Sequence, residues 1–315
     1  MSTAWHYFLL SAPLFVIVLV GFVIGAWRHW RSEWTRFASK AVFSVVLPAM
    51  LFRMMSNLDG HLPAVDARLL IAYFGGCFVV FAIGRFVGGW AFRLDGVSQS
   101  VFALGGIFSN NVMLGLPIAK MTLGEAAVPS VALVLIFNAL ILWTLVSVSI
   151  EWARHGSFSI AGFGKTAFGV ITNPLVAGIV AGTVFGLSGW SMPEPVDWVL
   201  QGFSDVAAPA ALLVLGMGLV EYGFKRDWQL SVAITALKLV AQPCAVWIIG
   251  ALLGLPPMEL QVIVLLASMA VGANVYLMAM QFQALQGPIA SSLILSTALA
   301  AITTPLILAA LHAVM

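Results

Sequence analysis

The chain has 315 residues, of which 62% are hydrophobic and only 8% carry a charge. Average soluble domains carry roughly 25% charged residues, so this composition excludes a soluble enzyme and a disordered chain. The 14 Lys and Arg residues nearly balance the 12 Asp and Glu residues, which leaves no basic surface for a nucleic acid. We therefore expect an all-α integral membrane protein that lies in the lipid bilayer and binds no nucleic acid.

Long stretches without a charged residue predict the membrane-spanning helices. The whole segment from 260 to 315 contains no Asp, Glu, Lys or Arg, and one span needs about 20 apolar residues. The chain accommodates ten transmembrane helices on this basis. The predicted spans are 6–27, 37–57, 67–92, 98–120, 126–150, 166–187, 198–220, 229–253, 259–281 and 289–311.

The distribution of basic residues predicts the orientation, because cytoplasmic loops are enriched in Lys and Arg. With the N-terminus outside, only Arg53, Arg68 and Lys120 lie on the outer side, and Lys238 lies inside a span. We therefore expect a multi-pass protein of the bacterial inner (plasma) membrane with both termini periplasmic. The residues that then lie on the cytoplasmic side are Arg28, Arg31, Arg36, Lys40, Arg85, Arg93, Arg154, Lys165, Lys225 and Arg226.

The two halves of the chain repeat with an offset of 161 residues. Pro13 and Gly21 recur as Pro174 and Gly182 at this offset, and the dipeptide at Pro48 recurs at 209. Each half holds five spans, and since five is odd the second half enters the membrane inverted, as in many transporters. We expect a first repeat at 1–151, a cytoplasmic linker at 152–165 and a second repeat at 166–315.

The fourth span contains residues that do not suit a helix in mid-membrane. Ser109, Asn110 and Asn111 follow two glycines, and Gly115 and a proline come next. A break in a helix frees backbone groups, which is tolerated in a membrane only where they line a cavity or meet a ligand. The alternative is an ordinary helix that packs through its small residues.

The ninth span carries a similar set of residues at the equivalent depth, namely Ser268, Gly272, Asn274 and Tyr276. If spans four and nine both break and cross, two half-helix N-termini point at one spot. Each N-terminus carries a partial positive charge and free N–H donors, which suits an anion. We predict a substrate site that includes Asn110, Asn111, Gly115, Gly272, Asn274, Tyr276 and Lys238.

Three stretches resemble the auxin efflux carrier family. They are Pro48–Phe52, Ser109–Ile118 and Ala208–Gly216, and the resemblance extends over essentially the whole chain. It implies two inverted five-helix repeats with crossed broken helices in spans 4 and 9, and carriage of organic anions. It also implies a scaffold domain of spans 1, 2, 6 and 7 and a transport domain of spans 3–5 and 8–10. Neither predicted crossover holds a proline between its polar residues, unlike the plant members, so small carboxylates such as malonate fit better than auxin.

Two charged residues lie within predicted spans, where charges are expensive and are functional candidates by default. Lys238 is a source of positive charge for a substrate carboxylate, or else extends to the inner interface. Asp205 is a candidate for carrying a coupling proton, or else lies at the outer interface. Ser109 and Ser268 are the other coupling candidates, with H+ or Na+ as the ion, and we expect no other cofactor and no metal site.

The resulting prediction is a secondary transporter of small organic anions that works by alternating access and is not an enzyme. The alternatives are a channel, a transporter of auxin-like aromatic acids, or an intramembrane enzyme. The hypothesis of an intramembrane enzyme rests on Ser188 in a Gly-x-Ser-Gly sequence, which we interpret as a turn. We also expect a homodimer through the scaffold domain, while the direction of transport stays open.

Overall fold

The computed structural model describes residues 3–27, 32–56, 66–155, 174–222 and 227–314. Within these ranges the chain is helical, and six helices are long and apolar enough to cross a membrane. This architecture confirms the expected helical membrane protein. Residues 156–165 of the predicted linker lie outside the described ranges, as do Arg28, Arg31, Lys165, Lys225 and Arg226.

The helices of the first half include one long element that is continuous through a π turn at Val42–Val46 and another that begins with a π turn at Asn111–Gly115. The helix at Val128–His155 extends beyond its predicted end, so the first residues of the predicted linker are helical. In chain order the helices are α1 (Thr3–Ala26), α2 (Ser32–Ala41), α3 (Leu47–Ser56), α4 (Ala67–Trp90), α5 (Gly96–Gly105), α6 (Leu116–Leu123) and α7 (Val128–His155).

The second half has the same general order of long and interrupted helices, with a π turn at Leu237–Ala241. Its helices are α8 (Pro174–Leu187), α9 (Glu194–Tyr222), α10 (Trp228–Ala236), α11 (Gln242–Leu252), α12 (Pro257–Ala267), α13 (Ala273–Gln281) and α14 (Gln286–Val314).

The three π turns have a common local cause. Each of them begins six residues before a proline, at Pro48, Pro117 or Pro243. A proline inside a helix has no N–H and its ring clashes with the carbonyl four residues earlier, so the preceding turn widens. Three of the predicted site residues, Asn111, Gly115 and Lys238, lie in these widened turns.

Glycines allow two pairs of helices to pack with their backbones in close approach. A Cβ atom on Gly21 of α1 would lie 2.1 Å from the carbonyl oxygen of Leu213 in α9. A Cβ atom on Gly182 of α8 would lie 2.3 Å from the carbonyl oxygen of Phe52 in α3. Adding the sequence offset of 161 to the pair Gly21 and Phe52 gives Gly182 and Leu213, so the two contacts are equivalent under the repeat.

The remaining helices pack around α4, α5, α11 and α12, and α14 closes this group against α1. Gly76 of α4 lies against Val246 of α11, where an added Cβ would come within 2.6 Å of a side-chain methyl group. Many large apolar side chains on the outside of the helices are exposed, including Phe86, Trp198 and Leu252. Such a surface is expected where the neighbouring solvent is lipid.

Candidate functional site

The fourth predicted span is interrupted in its middle. Helix α5 ends at Gly105, and the chain becomes helical again only at Asn111. Gly106 sits in the interruption, where an added Cβ would lie 2.9 Å from the Cβ of Leu237. The glycine is therefore needed for the close approach of the unwound segment to the π turn of the neighbouring span. The break occurs at the Gly and Asn cluster from which the sequence predicts it.

The ninth predicted span is interrupted in the same way. Helix α12 ends at Ala267, and α13 begins at Ala273 after an extended Gly272. An added Cβ on Gly272 would lie 3.0 Å from the ring of Phe108 and 3.1 Å from the carbonyl oxygen of Ser109. The sequence predicts this break as well, and a side chain at Gly272 would force the two unwound segments apart.

The two unwound segments run antiparallel and bind each other. An isolated β-bridge joins Ser109 and Val271. The amide of Asn110 donates to the carbonyl of Ala270, and the amide of Gly272 donates to the carbonyl of Phe108, both at 2.8 Å. These bonds satisfy backbone groups that helix breaks would leave unpaired in a membrane interior. We call residues 106–110 and 268–272 together the crossover.

The helix C-termini at the crossover are capped by side chains from the eighth span. Lys238 is fully buried and its ammonium group donates to the carbonyl oxygen of Ala267 at 2.6 Å. The amide nitrogen of Gln242 donates to the carbonyl oxygen of Ile107 at 2.8 Å. A cation at a helix C-terminus complements both the free carbonyls and the helix dipole. Lys238 thus binds the end of α12 beside the crossover. Its charge is close to the site, but the residue does not line the cavity.

The helix N-termini at the crossover, unlike the C-termini, have no side-chain caps. Neither the helical segment that begins at Asn111 nor α13 has a side chain that caps its N-terminus. The first N–H groups of a helix have no partner within the helix, and the dipole gives them a partial positive charge. Both N-termini start directly after the crossover, so two sets of backbone donors lie close together.

Asn111 is anchored by a residue that sequence reasoning missed. Its side-chain nitrogen donates to the hydroxyl oxygen of Tyr73 at 2.8 Å, and both residues are buried. Tyr73 is one of only 4 tyrosines in the chain, and its position inside a predicted span is the signal that marks it as a candidate. The side-chain oxygen of Asn111 has no hydrogen-bond partner among the described residues.

A cavity of about 70 Å³ lies in front of the crossover. Among the predicted site residues it is lined by Asn110, Asn111, Gly272 and Asn274, together with the coupling candidate Ser109. The other lining residues come from the second, fifth and sixth spans and from the fourth and ninth spans at or beside the crossover: Phe43, Phe108, Val112, Leu135, Asn138, Leu175, Val176, Ile179 and Ala273. The cavity therefore brings together residues from both halves of the chain.

Asn110 and Asn138 each present an unpartnered polar atom in this region. Asn110 is 7% exposed and its side-chain nitrogen has no partner among the described residues. Asn138 is 5% exposed and its side-chain oxygen likewise has none in the described part of the chain. Buried polar groups are normally hydrogen-bonded, so each exception calls for an explanation. A mid-span amide such as Asn138 commonly forms hydrogen bonds between helices, so the sequence alone does not mark it as a cavity residue.

Four of the predicted residues besides Lys238 do not line the cavity. Gly115 faces Leu266, since an added Cβ would lie 2.8 Å from that side chain, and it allows α6 to pack on α12. The Ser268 hydroxyl donates to the carbonyl of Leu265 in its own helix at 2.8 Å. Tyr276 is half-buried on α13.

Asp205 is the fourth of these residues. It is exposed on α9 and carries its charge close to Arg53, which binds Asp197 at 2.7 Å. Asp205 therefore lies outside the cavity and within electrostatic range of Arg53. Its role as a carrier of a coupling proton stays a prediction.

A search of family models supplies the decisive comparison. The model described as a membrane transport protein matches residues 7–308 of the chain. The chain belongs to this family. The match confirms the resemblance to the auxin efflux carriers and makes the protein a membrane transporter with a small-molecule substrate.

Individual relatives are similar over most of their length. A protein of Rhizobium meliloti (strain 1021) named "Putative malonate transporter" is 24% identical over 93% of this chain and 92% of its own. The uncharacterized transporter YfdV of Escherichia coli (strain K12) is 22% identical over 93% of this chain and 94% of its own. Both relatives are thus named as transporters, and only one of the two names mentions a substrate.

Proposed function

We propose that the protein is a secondary transporter that carries small organic anions, such as malonate, across the membrane by alternating access. The observation that carries this proposal is the meeting of two uncapped half-helix N-termini at one small cavity. Their backbone N–H groups and dipoles favour a negative charge. The unpartnered amide nitrogen of Asn110 adds a further donor.

The size of the cavity favours a small substrate over an aromatic acid. Its volume of about 70 Å³ suits a compact carboxylate better than a molecule with an indole ring. The relative named as a malonate transporter supports the same substrate class. The substrate carboxylate binds the N–H groups after Asn110 and Gly272, and the side chains of Asn110 and Asn274 complete its coordination.

Alternating access requires two bodies that move against each other. The proposed scaffold domain comprises spans 1, 2, 6 and 7, and the transport domain comprises spans 3–5 and 8–10. Two equivalent glycine contacts hold α1 to α9 and α3 to α8, which supports a rigid scaffold built from inverted repeats at 1–151 and 166–315. An apolar cleft of about 390 Å³ lies at the seam where α14 contacts α1. A seam lined mainly by apolar side chains would allow the transport domain to move along the scaffold.

The proposal also covers the orientation of the carrier in the membrane and its assembly. The excess of basic residues on one side supports a bacterial inner-membrane protein with periplasmic termini and a cytoplasmic linker at 152–165. The scaffold domain is the part that stays fixed during transport, so it is the natural surface for a homodimer.

The orientation is tested by the accessibility of single cysteines, introduced near each terminus, to a membrane-impermeant thiol reagent. Labelling only after membrane disruption would contradict periplasmic termini.

Uptake of labelled malonate into proteoliposomes tests the function. The wild-type protein is compared with Asn110→Ala and Asn274→Ala, and Gln281→Ala serves as the control because Gln281 is an exposed amide at the far end of α13. We expect saturable uptake that the first two variants lose and the control retains. Imposed sodium, proton and electrical gradients identify the coupling ion. Absence of uptake under every gradient would remove malonate as the substrate, and unchanged uptake by both asparagine variants would place the site elsewhere.

A further inference from the structure

The cavity presents a hydrogen-bond acceptor that an anion alone cannot use. Asn138 lies in the middle of α7 and lines the cavity, and its buried side-chain oxygen has no partner among the described residues. Two of the other groups facing the cavity are donors, namely the helix N-termini and the nitrogen of Asn110. A bare carboxylate offers only acceptors, so it would leave the oxygen of Asn138 unsatisfied.

Asn111 does not supply a free hydrogen-bond acceptor to the ligand. Its nitrogen is bound to Tyr73, and its free oxygen folds back over its own helix, 3.2 Å from the position of a Cβ added to Gly115. Among the described lining residues, the oxygen of Asn138 is therefore the buried, unpartnered acceptor that remains for a ligand in the cavity. It lies on α7, whereas the donors belong to the fourth and ninth spans, so it approaches the ligand from a different helix.

The cavity also lacks a counter-charge for a second carboxylate, since none of its described lining residues is charged. A charge without a partner is costly in a buried site. Lys238 is held on the carbonyl of Ala267 behind the crossover. The titratable groups on the surrounding helices stand outside the lining, and they include Lys40, Arg53, Tyr73, Cys77, Asp205, Lys238 and Tyr276.

We propose that the cavity binds its substrate as the half-protonated monoanion of a small dicarboxylic acid, a step that rests on the carboxylate transport proposed above. The ionised carboxylate accepts hydrogen bonds from the helix N-termini and from Asn110. The neutral carboxylic acid group donates its O–H to the oxygen of Asn138. The substrate then carries its own proton through the membrane, and no side chain of the cavity has to titrate.

Equilibrium binding of labelled malonate to the purified full chain tests this proposal. The pH is varied across the second acid dissociation of malonate. Malonamate and monomethyl malonate serve as competitors because both are permanent monoanions, and only malonamate has a donor in place of the acid O–H. The variant Asn138→Leu removes the acceptor, and Leu135→Ala, one turn away in the same lining, is its matched control.

The expected result is that the apparent Kd of malonate rises about tenfold for each pH unit above that dissociation, since the binding-competent fraction falls by this factor. Malonamate competes with an affinity that does not change with pH, and monomethyl malonate competes at least tenfold more weakly. Asn138→Leu abolishes the difference between the two competitors, whereas Leu135→Ala retains it.

Three results would overturn the proposal. Malonate affinity that is constant or rises with pH would mean that the dianion binds, while the transport function would stand. A parallel fall in the affinity of malonamate would place the titrating group in the protein. Failure of malonate and malonamate to bind at any pH would overturn both this proposal and the substrate class proposed above.

Discussion

The ammonium group of Lys238 lies 2.6 Å from the carbonyl oxygen of Ala267, at the point where α12 ends. The lysine is fully buried, so this bond both solvates the charge and caps the helix. The contact links the eighth span to the crossover. Lys238 is therefore placed to stabilise the geometry in which the two helix N-termini face the cavity.

Replacement of Lys238 by Met tests this role. Met keeps most of the side-chain volume but leaves the carbonyl of Ala267 without its donor. A hydrogen bond to a charged group contributes about 1.5–3 kcal/mol, although removal of the buried charge offsets part of this. We expect uptake to fall at least tenfold while the melting temperature in detergent changes by only a few degrees. The control is Lys120→Met, whose exposed ion pair with Glu125 contributes about 0–1 kcal/mol; equal loss of uptake in both variants would contradict the assignment.

The hydroxyl of Tyr73 holds the side chain of Asn111, and Tyr73→Phe removes only that oxygen. Both polar atoms of the buried amide are then unpartnered, which costs about 1–3 kcal/mol. We expect a lower melting temperature and weaker malonate binding. A double-mutant cycle with Asn111→Leu serves as the control, because a real contact gives a coupling free energy of about 0.5–3 kcal/mol. Additive effects of the two substitutions would show that the contact does not contribute.

The sequence predicted those parts of the site that depend on local chemistry. The breaks in spans four and nine follow from Gly, Asn and Pro residues that disfavour a helix wherever they lie. Asn110, Asn111, Gly272 and Asn274 are close to these breaks, so their presence at the cavity could be predicted as well.

The parts of the site that the sequence did not predict depend on contacts between helices that are distant in the chain. The partner of Lys238 is 29 residues away, and that of Asn111 is 38 residues away. A single sequence gives no register between such helices, so it could not distinguish a lysine that caps a helix from one that lines the cavity. The same limit applies to Asn138, whose place in the sequence does not distinguish a helix-packing amide from one that lines the cavity.

The glycine contacts of the proposed scaffold predict a matched pair of destabilising variants. In Gly21→Ala and Gly182→Ala the new methyl group would lie 2.1 Å and 2.3 Å from carbonyl oxygens of neighbouring helices. Overpacking of this kind costs about 1–3 kcal/mol, and because the two contacts are equivalent we expect similar losses. Gly218→Ala is the control, since no atom lies within 4 Å of its added Cβ. It should raise stability by up to about 1 kcal/mol.

Thermal unfolding of the purified variants measures these differences. Large losses in Gly21→Ala and Gly182→Ala beside a small gain in Gly218→Ala would support a scaffold held by two equivalent close contacts. A loss in only one of the first two variants would contradict the equivalence of the halves.

Asp95 caps the N-terminus of α5 and makes the stability of this half-helix dependent on pH. Its carboxylate accepts from the amides of Val97 and Ser98 at 2.9 Å and 3.0 Å, and from the Ser98 hydroxyl at 2.9 Å. The bond from the Ser98 amide is the largest cause that lowers the pKa of Asp95 below its ordinary value. A lowered pKa in the folded state means that the cap stabilises the protein above the unfolded-state pKa. This contribution is lost as the pH falls through the folded-state pKa.

Asp95→Ala should therefore destabilise the protein by about 0.5–2 kcal/mol at neutral pH, the usual cost of a lost N-cap. The difference from wild type should shrink as the pH falls through the folded-state pKa of Asp95, because protonation weakens the same hydrogen bonds in the wild-type protein. Asp95→Asn is the control, since an asparagine caps a helix but does not titrate in this range. Thermal unfolding across acidic pH measures all three proteins, and a difference between wild type and Asp95→Ala that persists unchanged into acid would refute the assignment of Asp95 as an ionised cap.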